Sequence, residues 1–480
     1  MVNLFLALIS GVIGALLVAI IPKAKRRIQK FIVLLFSILG AVFTWLVALP
    51  VLNGGIVEIS GKFAGFPWSI GPDPLGAVFG LIASSLWVFA IVYSFGYMEG
   101  KKNQKRYYIF LLLASSATLG VAFSGNLIAL YLFYELLTLT TYPLVIHDGT
   151  EEARKSGLRY IMYSLSGAGA ILVGIVMVYS LSGNLNFAGN PILSGFTGGE
   201  LNLPLALFVI GFGVKAAIMP LHKWLPGAMV APTPISALLH AVAVVYSGAY
   251  GIIRVVYSVF GYSLVGSLGL SKIMPWVIGF TILAGVIVAS RKDVLKGRLA
   301  YQTISHISYI LLGVFTLHPW GLAGAIMHMI SYSTLKMSFF FCAGIIAQQT
   351  GETDISRMGG IGWKLPKTFM AFTVATVGMI GMLPLNTFWG KFYLMKGSID
   401  SGMWPLAVVL VLSGIINGAC FIPVIVDAFR GGKGEANLEK GKSFKWMMVP
   451  TLILSVFSIV VGIWPDLVWL GVESVVNSFF

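Results

Sequence analysis

The sequence predicts an all-α, polytopic membrane bundle of about fourteen transmembrane helices. Three observations lead to this fold class: 58% of the 480 residues are hydrophobic, 10% are charged, and the mean hydropathy is +0.91. A soluble domain is roughly 25% charged, so a water-soluble fold of this size would lack the charges to cover its surface. We therefore expect one membrane domain over residues 1–480, with the lipid bilayer as its solvent.

Apolar stretches long enough to span a bilayer core, roughly 20 residues, recur along the chain. The first has no basic segment before it and no small-residue cleavage site, so we interpret it as a retained helix and not as a signal peptide. The stretches are 3–21, 31–50, 75–98, 107–123, 126–146, 158–181, 203–230 (broken), 235–259, 271–290, 299–317, 320–346, 367–393 (broken), 405–429 and 446–470. The long loop 51–74 contains glycines and a tryptophan, which predicts a hairpin or an interfacial cover.

The distribution of Lys and Arg predicts the orientation. Of the 32 such residues, 25 fall in every second loop, three (Lys62, Lys272 and Lys396) fall in the other loops, and four lie within helices. The positive-inside rule then places the basic loops in the cytoplasm and both termini outside, in a multi-pass protein of the cell membrane. The net charge of +15 is thereby explained as an orientation signal, and nucleic-acid binding is not expected.

The cysteines and histidines form no catalytic or metal-binding pattern. Cys342 and Cys420 both lie in apolar runs, and the six histidines are scattered without a paired metal-ligand spacing. No phosphate-binding or nucleophile motif stands in a suitable context. We expect no cofactor, no metal and no catalytic redox site within this chain.

Ionisable residues inside the helices are the candidate functional site. Glu135, Lys215, Lys336 and Lys391 fall within predicted spans, where each charge costs roughly 2.5–3.5 kcal/mol and normally marks an ion path. The path is predicted to run in this order: Glu135, Lys215, His240, His328, Lys336, Lys391. Tyr332 lies midway between His328 and Lys336, on the same face of one helix.

Structural roles are the alternatives for each of these residues. Lys336 and Lys391 could extend to a membrane interface. Glu135 and Lys215 could form a purely structural ion pair, and His240 could be a hydrogen-bonded packing residue. A fourth intramembrane cation, Arg254, lies near an outer helix end and is predicted to be an interfacial anchor.

Two proline-containing segments resemble each other: KAAIMPLHKWLPG, with Pro220, and GMIGMLPLNTFWGK, with Pro384. A proline inside a helix kinks or breaks it, and each break has a lysine nearby, Lys215 or Lys391. The predicted topology makes the two helices run in opposite directions, as in inverted repeats with an ion site near the midplane. We predict helices 1–3 over 1–106, a first repeat of helices 4–8 over 107–260, a second of helices 9–13 over 271–430, and a last helix at 446–470.

At these residues the chain resembles the antiporter-like subunits shared by respiratory complex I, Mrp-type sodium/proton antiporters and energy-converting membrane-bound hydrogenases. The motifs are LYLFYELLTLTTYPL, GFGVKAAIMPLHKWLPGAMVAPTPISALLHA, LKGRLAYQTISHISYILLG, MHMISYSTLKMSFFFCAG and GMLPLNTFWGKF. The resemblance implies that Glu135 is the glutamate of the fifth helix, Lys215 its partner lysine and Lys336 a central relay residue. Lys391 replaces the glutamate that some members use.

The chain also departs from the family pattern. Many members carry a lysine on the eighth helix near Tyr246, so His240 becomes the better central candidate, and Tyr332 stands where some members have a second histidine.

The resemblance implies a subunit that translocates ions, with protons favoured, in a respiratory or hydrogenase-type complex driven by redox energy. Its expected partners are antiporter-like and small Mrp-type membrane subunits, with a hydrogenase or dehydrogenase peripheral arm as a further possibility. The alternatives are a subunit of a multi-subunit Na⁺/H⁺ antiporter and a stand-alone substrate transporter.

Overall fold

The computed structural model describes residues 1–22, 24–63, 66–430, 438 and 441–480. Lys23, Lys433 and Lys440, three of the 25 basic loop residues, lie outside these ranges. Helices make up most of the described chain, and a single antiparallel hairpin is the strand structure within it, formed by β1 (Ile59–Phe63) and β2 (Phe66–Ile70). Of the two alternatives predicted for the 51–74 loop, the structure shows the hairpin.

The amino-terminal half contains ten α-helices. They are α1 (Val2–Ile20), α2 (Arg26–Leu52), α3 (Pro74–Tyr97), α4 (Gln104–Ala122), α5 (Leu127–Val145), α6 (Glu151–Ser182), α7 (Asn202–Lys215), α8 (Trp224–Gly227), α9 (Thr233–Ala241) and α10 (Val244–Ile253). A π-helical segment, Arg254–Phe260, continues α10. The remaining helices are α11 (Tyr262–Ser267), α12 (Gly269–Ser290), α13 (Leu295–Phe315), α14 (Pro319–Thr350), α15 (Ile361–Lys364), α16 (Pro366–Ile380), α17 (Thr387–Asp400), α18 (Trp404–Phe429), α19 (Lys442–Ile463) and α20 (Asp466–Asn477).

Every predicted apolar stretch lies on one or more of these helices, and ten helical segments of the described chain are long and apolar enough to cross a membrane. Two of the predicted stretches differ in detail from the observed helices. The stretch 235–259 corresponds to the helical segment Thr233–Phe260, within which the α-helical geometry stops at Ala241 and resumes at Val244. The stretch 446–470 ends at Ile463, and α20 is a separate helix after Pro465.

Both predicted helix breaks are present. Pro220 lies between α7 and α8, and Pro384 lies between α16 and α17; each follows a cis peptide bond. A break at membrane depth requires partners for the freed backbone groups. The side chain of Trp224 donates to the carbonyl of Val214 at 2.7 Å, and the amide of Asn386 donates to the carbonyl of Ser458 at 3.1 Å.

The helix α14 forms the centre of the bundle. It is buried without interruption over residues 321–346 and contacts α9, α13, α16, α17 and α19. The outer helices α1, α2, α6, α12 and α18 instead expose large apolar side chains, as expected for surfaces that face lipid. Polar side chains of α14 therefore meet other protein groups and not lipid.

Arg254 was expected to be an interfacial anchor, and the structure corrects this. Its side chain is buried, and both terminal nitrogens donate to the carboxylate of Asp73, the N-cap residue of α3. Its Nε and Nη2 also donate to the hydroxyl of Tyr250, at 3.0 and 2.7 Å. A buried guanidinium needs such partners, and this pair joins the π-helical segment to the start of α3.

Candidate functional site

The intramembrane ionisable residues predicted from the sequence are nearly all removed from the protein surface. Lys215, His240, His328 and Lys336 have no exposed area, and Lys391 is 6% exposed. Glu135 is the most accessible, with 17% of its side chain exposed. The side chains of Lys336 and Lys391 therefore do not extend to the surface of the described protein, because both Nζ atoms bind acceptors inside it.

Lys215 and Glu135 lie together at the first helix break. Lys215 is the last residue of α7, and its Nζ donates to the carbonyl of Tyr134 at 2.6 Å and lies 3.2 Å from the centroid of that ring. The Nζ is 4.0 Å from Oε1 of Glu135, an oxygen with no hydrogen-bond partner in the described chain. The ion pair is therefore loose, and the carboxylate is free to take another partner.

Close packing holds α10 against this lysine. A Cβ on Gly248 would lie 2.7 Å from the carbonyl oxygen of Phe212 and 2.9 Å from the carbonyl carbon of Lys215. Since real Cβ atoms do not approach so closely, only glycine lets α10 contact the end of α7 here.

Lys336 binds two acceptors on α13. Its Nζ donates to the carbonyl of Leu299 at 2.5 Å and to Oε1 of Gln302 at 2.9 Å. A fully buried ammonium retains its charge only when its protons are accepted, and α13 supplies both acceptors.

A chain of hydrogen bonds runs from Lys336 to His328 through three side chains. Gln302 Nε2 donates to Oδ1 of Asn417 at 3.2 Å, and Asn417 Nδ2 lies 3.3 Å from Nε2 of His306. His306 Nδ1 then lies 3.2 Å from Nε2 of His328. Helices α13, α14 and α18 therefore build one continuous polar line, although Lys336 and His328 share a helix.

The partners of Asn417 fix the direction of this line. Asn417 Nδ2 also donates to the carbonyl of Ser413 at 2.9 Å, and a carbonyl only accepts, so the amide orientation is determined. Nε2 of His306 must then accept, which puts the ring proton on Nδ1, where it is donated to His328 Nε2. Every bond points from Lys336 toward His328, whose own Nδ1 has no partner in the described chain.

Aromatic rings stack along the same line. The ring of Tyr332 is parallel to that of His306 at 4.6 Å, and Tyr309 lies 4.7 Å from His306 and 5.1 Å from His328. The hydroxyl of Tyr332 has no hydrogen-bond partner among the described residues. Tyr332 therefore packs against the histidines through its ring and is not a member of the bonded chain.

Lys391 lies at the second break. From α17 its Nζ reaches back to the carbonyls of Met379 and Ile380, at 2.7 and 2.8 Å. These are the last residues of α16, where a helix leaves carbonyls unpaired and carries partial negative charge. The Nζ is 5.4 Å from the ring centroid of Tyr309, and the same ring stacks against the histidine pair.

His240 joins the network from α9. Thr303 donates its hydroxyl proton to the carbonyl of Leu299 at 3.0 Å, so it accepts from His240 Nδ1 at 2.9 Å. Leu299 is also the acceptor of Lys336. No hydrogen bond between described residues joins His240 to Lys215, and Tyr246 donates its hydroxyl to the carbonyl of Met329 at 3.2 Å.

Sequence reasoning missed Gln302, Thr303, His306 and Asn417. Gln302 and His306 lie four residues apart on α13, a spacing that puts both on one helix face and could have indicated the contact with α14. Asn417 was visible as an isolated amide within an apolar helix. The described residues contain no cluster of three or more His, Cys, Asp or Glu side chains able to hold a metal ion.

Comparisons with known proteins agree with the motif resemblance. Residues 124–417 match the family described as NADH:quinone oxidoreductase/Mrp antiporter, TM. NADH-quinone oxidoreductase subunit N of Desulforudis audaxviator is 30% identical over 94% of this chain and 96% of its own. One of the Na(+)/H(+) antiporter subunits of Bacillus subtilis is 25% identical, over 89% of this chain and 87% of its own.

Solved structures show the same fold. A chain of the Mrp complex from Dietzia sp. DQ12-45-1b has a TM-score of 0.89 at 19% identity, covering 100% of this chain and 98% of that chain. A chain of the membrane-bound sulfane sulfur reductase, an archaeal respiratory membrane complex, has a TM-score of 0.87 at 22% identity, covering 99% and 96%. The resemblance seen in the motifs is confirmed: this chain is a multi-pass integral membrane protein of the NADH:quinone oxidoreductase/Mrp antiporter family.

Proposed function

We propose that this chain is the proton-translocating subunit of a multi-subunit respiratory or hydrogenase-type membrane complex. The observation that carries the proposal is the buried, directional line of hydrogen bonds from Lys336 to His328. Burying this many polar groups is costly unless they are paired, and a purely structural core of the same shape would be more stable if apolar. The matched relatives, named as complex I and antiporter subunits, support an assembly with other membrane subunits.

The proposed route begins at the cytoplasmic side near Lys215 and His240. It continues through Lys336 and the histidine pair to Lys391, and ends at the outer side. Glu135 controls the first step, because its distance from Lys215 sets how strongly that ammonium holds its proton. Histidine suits the central steps, since its unperturbed pKa is close to neutral.

The two side-chain carboxamides in the line limit proton transfer along this route. Gln302 and Asn417 each offer a fixed donor and a fixed acceptor and do not readily pass a proton from one atom to the other. A proton leaving Lys336 therefore needs bound water beside these amides or a rotation of Asn417. Stepwise proton release is the expected consequence.

The larger architecture belongs to the same proposal. We infer about fourteen spans, two inverted repeats over 107–260 and 271–430, and both termini outside. The matched positions of Lys215 and Lys391, each beside a proline-containing break, support the repeats.

A Na⁺/H⁺ antiporter component is the second candidate, favoured by the relatives whose names assign them to such antiporters. The side chains along the line favour protons over Na⁺ as the transported ion. They present nitrogens, amides and hydroxyls, and Glu135 is the one carboxylate among them, whereas hard cations are held by several oxygen ligands. Ion uptake by the reconstituted complex, measured with and without sodium, distinguishes the two functions. Sodium accumulation coupled to proton exit would favour the Na⁺/H⁺ antiporter.

The direct test uses Lys215→Ala and Lys391→Ala in the assembled complex, reconstituted in liposomes with a pH-sensitive dye. Both variants should lose most proton translocation. Lys396→Ala is the matched control, because Lys396 lies on the same helix as Lys391 but pairs with Asp400 at a partly exposed position. Translocation at the parent rate in both variants would show that the line is not the proton path.

A further inference from the structure

A cavity with a basic rim lies at the ends of α2, α3 and α4 that are predicted to be cytoplasmic. Its volume is about 430 Å³. It is lined by Arg26, Gln29, Gly100, Lys101, Lys102, Asn103, Gln104, Lys105, Arg106, Ile109 and Phe110. Five of these side chains are basic and none is acidic.

Some basic residues elsewhere in the predicted cytoplasmic loops are paired with acids. Lys155 lies 2.6 Å from Glu151, and Arg430 lies 2.9 Å from Asp427. Within the described ranges, no ion pair of 4.0 Å or less involves any of the five cavity cations.

Two of the five have uncharged partners. Lys101 Nζ is 3.5 Å from the ring centroid of Tyr97, and Arg106 Nη2 donates to the carbonyl of His147 at 2.7 Å. The cavity thus concentrates positive charge that the described protein does not neutralise. The positive-inside rule explains why these loops contain Lys and Arg residues. It does not explain why five of these side chains line the same cavity.

Part of the cavity wall is apolar. It is formed by Ile109 and Phe110 of α4, both half-buried. The neighbouring helix α2 exposes Ile28 and Phe31, which are 46% and 64% accessible. A basic rim above an apolar wall matches the level at which bilayer headgroups meet acyl chains. A soluble anion would neutralise the basic side chains but leave Ile109 and Phe110 uncovered.

We propose that this cavity binds the headgroup of an anionic phospholipid from the cytoplasmic leaflet. The phosphodiester lies among Arg26, Lys102 and Lys105, and an acyl chain follows Ile109 and Phe110 toward the lipid-facing side of α2. Basic pockets between transmembrane helices on this side of a membrane commonly hold such headgroups. The site is separate from the proposed proton line and does not depend on it.

The test measures lipid binding to the purified full-length chain by native mass spectrometry after delipidation. Phosphatidylglycerol should be retained and phosphatidylcholine should not. The triple variant Arg26→Gln/Lys102→Gln/Lys105→Gln should bind phosphatidylglycerol roughly 100-fold more weakly, from the contribution of each cation near an anionic lipid. The triple variant Arg154→Gln/Arg291→Gln/Lys292→Gln removes the same charge from exposed positions outside the cavity and should bind as the parent does.

Equal retention of both lipids, or parent-like binding by the cavity variant, would overturn the proposal. An equal loss in the control variant would show a general charge effect and would also overturn it. Millimolar inorganic phosphate serves as the competitor: displacement of phosphatidylglycerol would identify a free-anion site instead. If the triple variant unfolds, Lys102→Gln alone should still weaken binding about fivefold.

Discussion

At the scale of single residues, Asn417 determines how the proton line is connected. Its amide accepts from Gln302, donates to His306, and is held by the carbonyl of Ser413. Asn417 therefore connects Gln302 to His306 and sets which ring nitrogen of His306 accepts, because the amide N–H points at Nε2.

Replacing Asn417 by alanine tests this role. Asn417→Ala leaves Nε2 of Gln302 and Nε2 of His306 without their partner, and each unpaired buried group costs about 1–3 kcal/mol. We expect proton translocation to fall by roughly tenfold, which corresponds to about 1.4 kcal/mol in a barrier. The measurement is the initial rate of dye response in liposomes.

Cys420→Ala is the control for that variant, because Cys420 lies three residues further along α18 and is also buried. Its Sγ lies 3.8 Å from the carbonyl of Val286, which is not a member of the proton line. An equal loss of rate in both variants would mean that α18 acts through packing and not through the amide.

At the scale of elements, the pair of Asp73 and Arg254 joins two helices that are distant in the chain. Asp73→Asn leaves the buried guanidinium without its counter-charge, which typically costs 3–5 kcal/mol. We expect the lower end of this range, because 37% of the Asp73 side chain is exposed. The free energy of unfolding in mixed detergent is the measurement.

The exposed pair of Glu151 and Lys155 provides the comparison, since such pairs contribute about 0–1 kcal/mol. Glu151→Gln should leave stability nearly unchanged. The double variant Asp73→Asn/Arg254→Leu should recover part of the loss of Asp73→Asn, because it removes the unpaired charge. Identical destabilisation by Asp73→Asn and Glu151→Gln would contradict a structural role for the buried pair.

The second helix break depends on Lys391 in a way that hydrogen exchange can detect. Lys391→Met keeps most of the side-chain volume but leaves the carbonyls of Met379 and Ile380 without the ammonium. Loss of about 1–1.5 kcal/mol of local stability should raise amide exchange over residues 381–387 roughly tenfold. Lys396→Met should leave exchange there unchanged; parent-like protection in Lys391→Met would mean that other contacts hold the break.

Element positions were largely predictable because apolar length and proline placement report directly on membrane helices. The interruption of the helix at residues 242–243 was not predictable, since the local sequence there contains neither proline nor glycine. The partner of Arg254 was missed because Asp73 is 181 positions away in a loop. The links through His306 and Asn417 were missed for a similar reason: helix periodicity gives the face of a residue but not the neighbour that the face meets.

At the scale of the whole molecule, burial separates a polar centre from an apolar exterior. The helix α14 is enclosed by protein, while α1, α2, α6, α12 and α18 carry exposed apolar side chains. This arrangement inverts the distribution of a soluble protein and explains why few charges suffice. It also means that the loop charges are free to encode the orientation of the whole chain.

Cysteine labelling of intact cells tests that orientation. The two native cysteines, Cys342 and Cys420, are both buried, so an introduced cysteine should give the labelling signal with a membrane-impermeant maleimide. Lys62→Cys and Lys272→Cys lie in loops predicted to be outside and should react in intact cells. Lys102→Cys and Lys292→Cys lie in loops predicted to be cytoplasmic and should react only after permeabilisation.

Each outcome of this labelling has a distinct meaning. All four positions are exposed, so permeabilised cells provide the control for reactivity itself. The reverse pattern would place the termini inside and invert the proposed direction from Lys215 to Lys391. The prediction places an even number of spans between Lys62 and Lys272, so both should lie on the same side of the membrane. If one reacts in intact cells and the other does not, the number of spans between them is odd and the count of about fourteen is wrong.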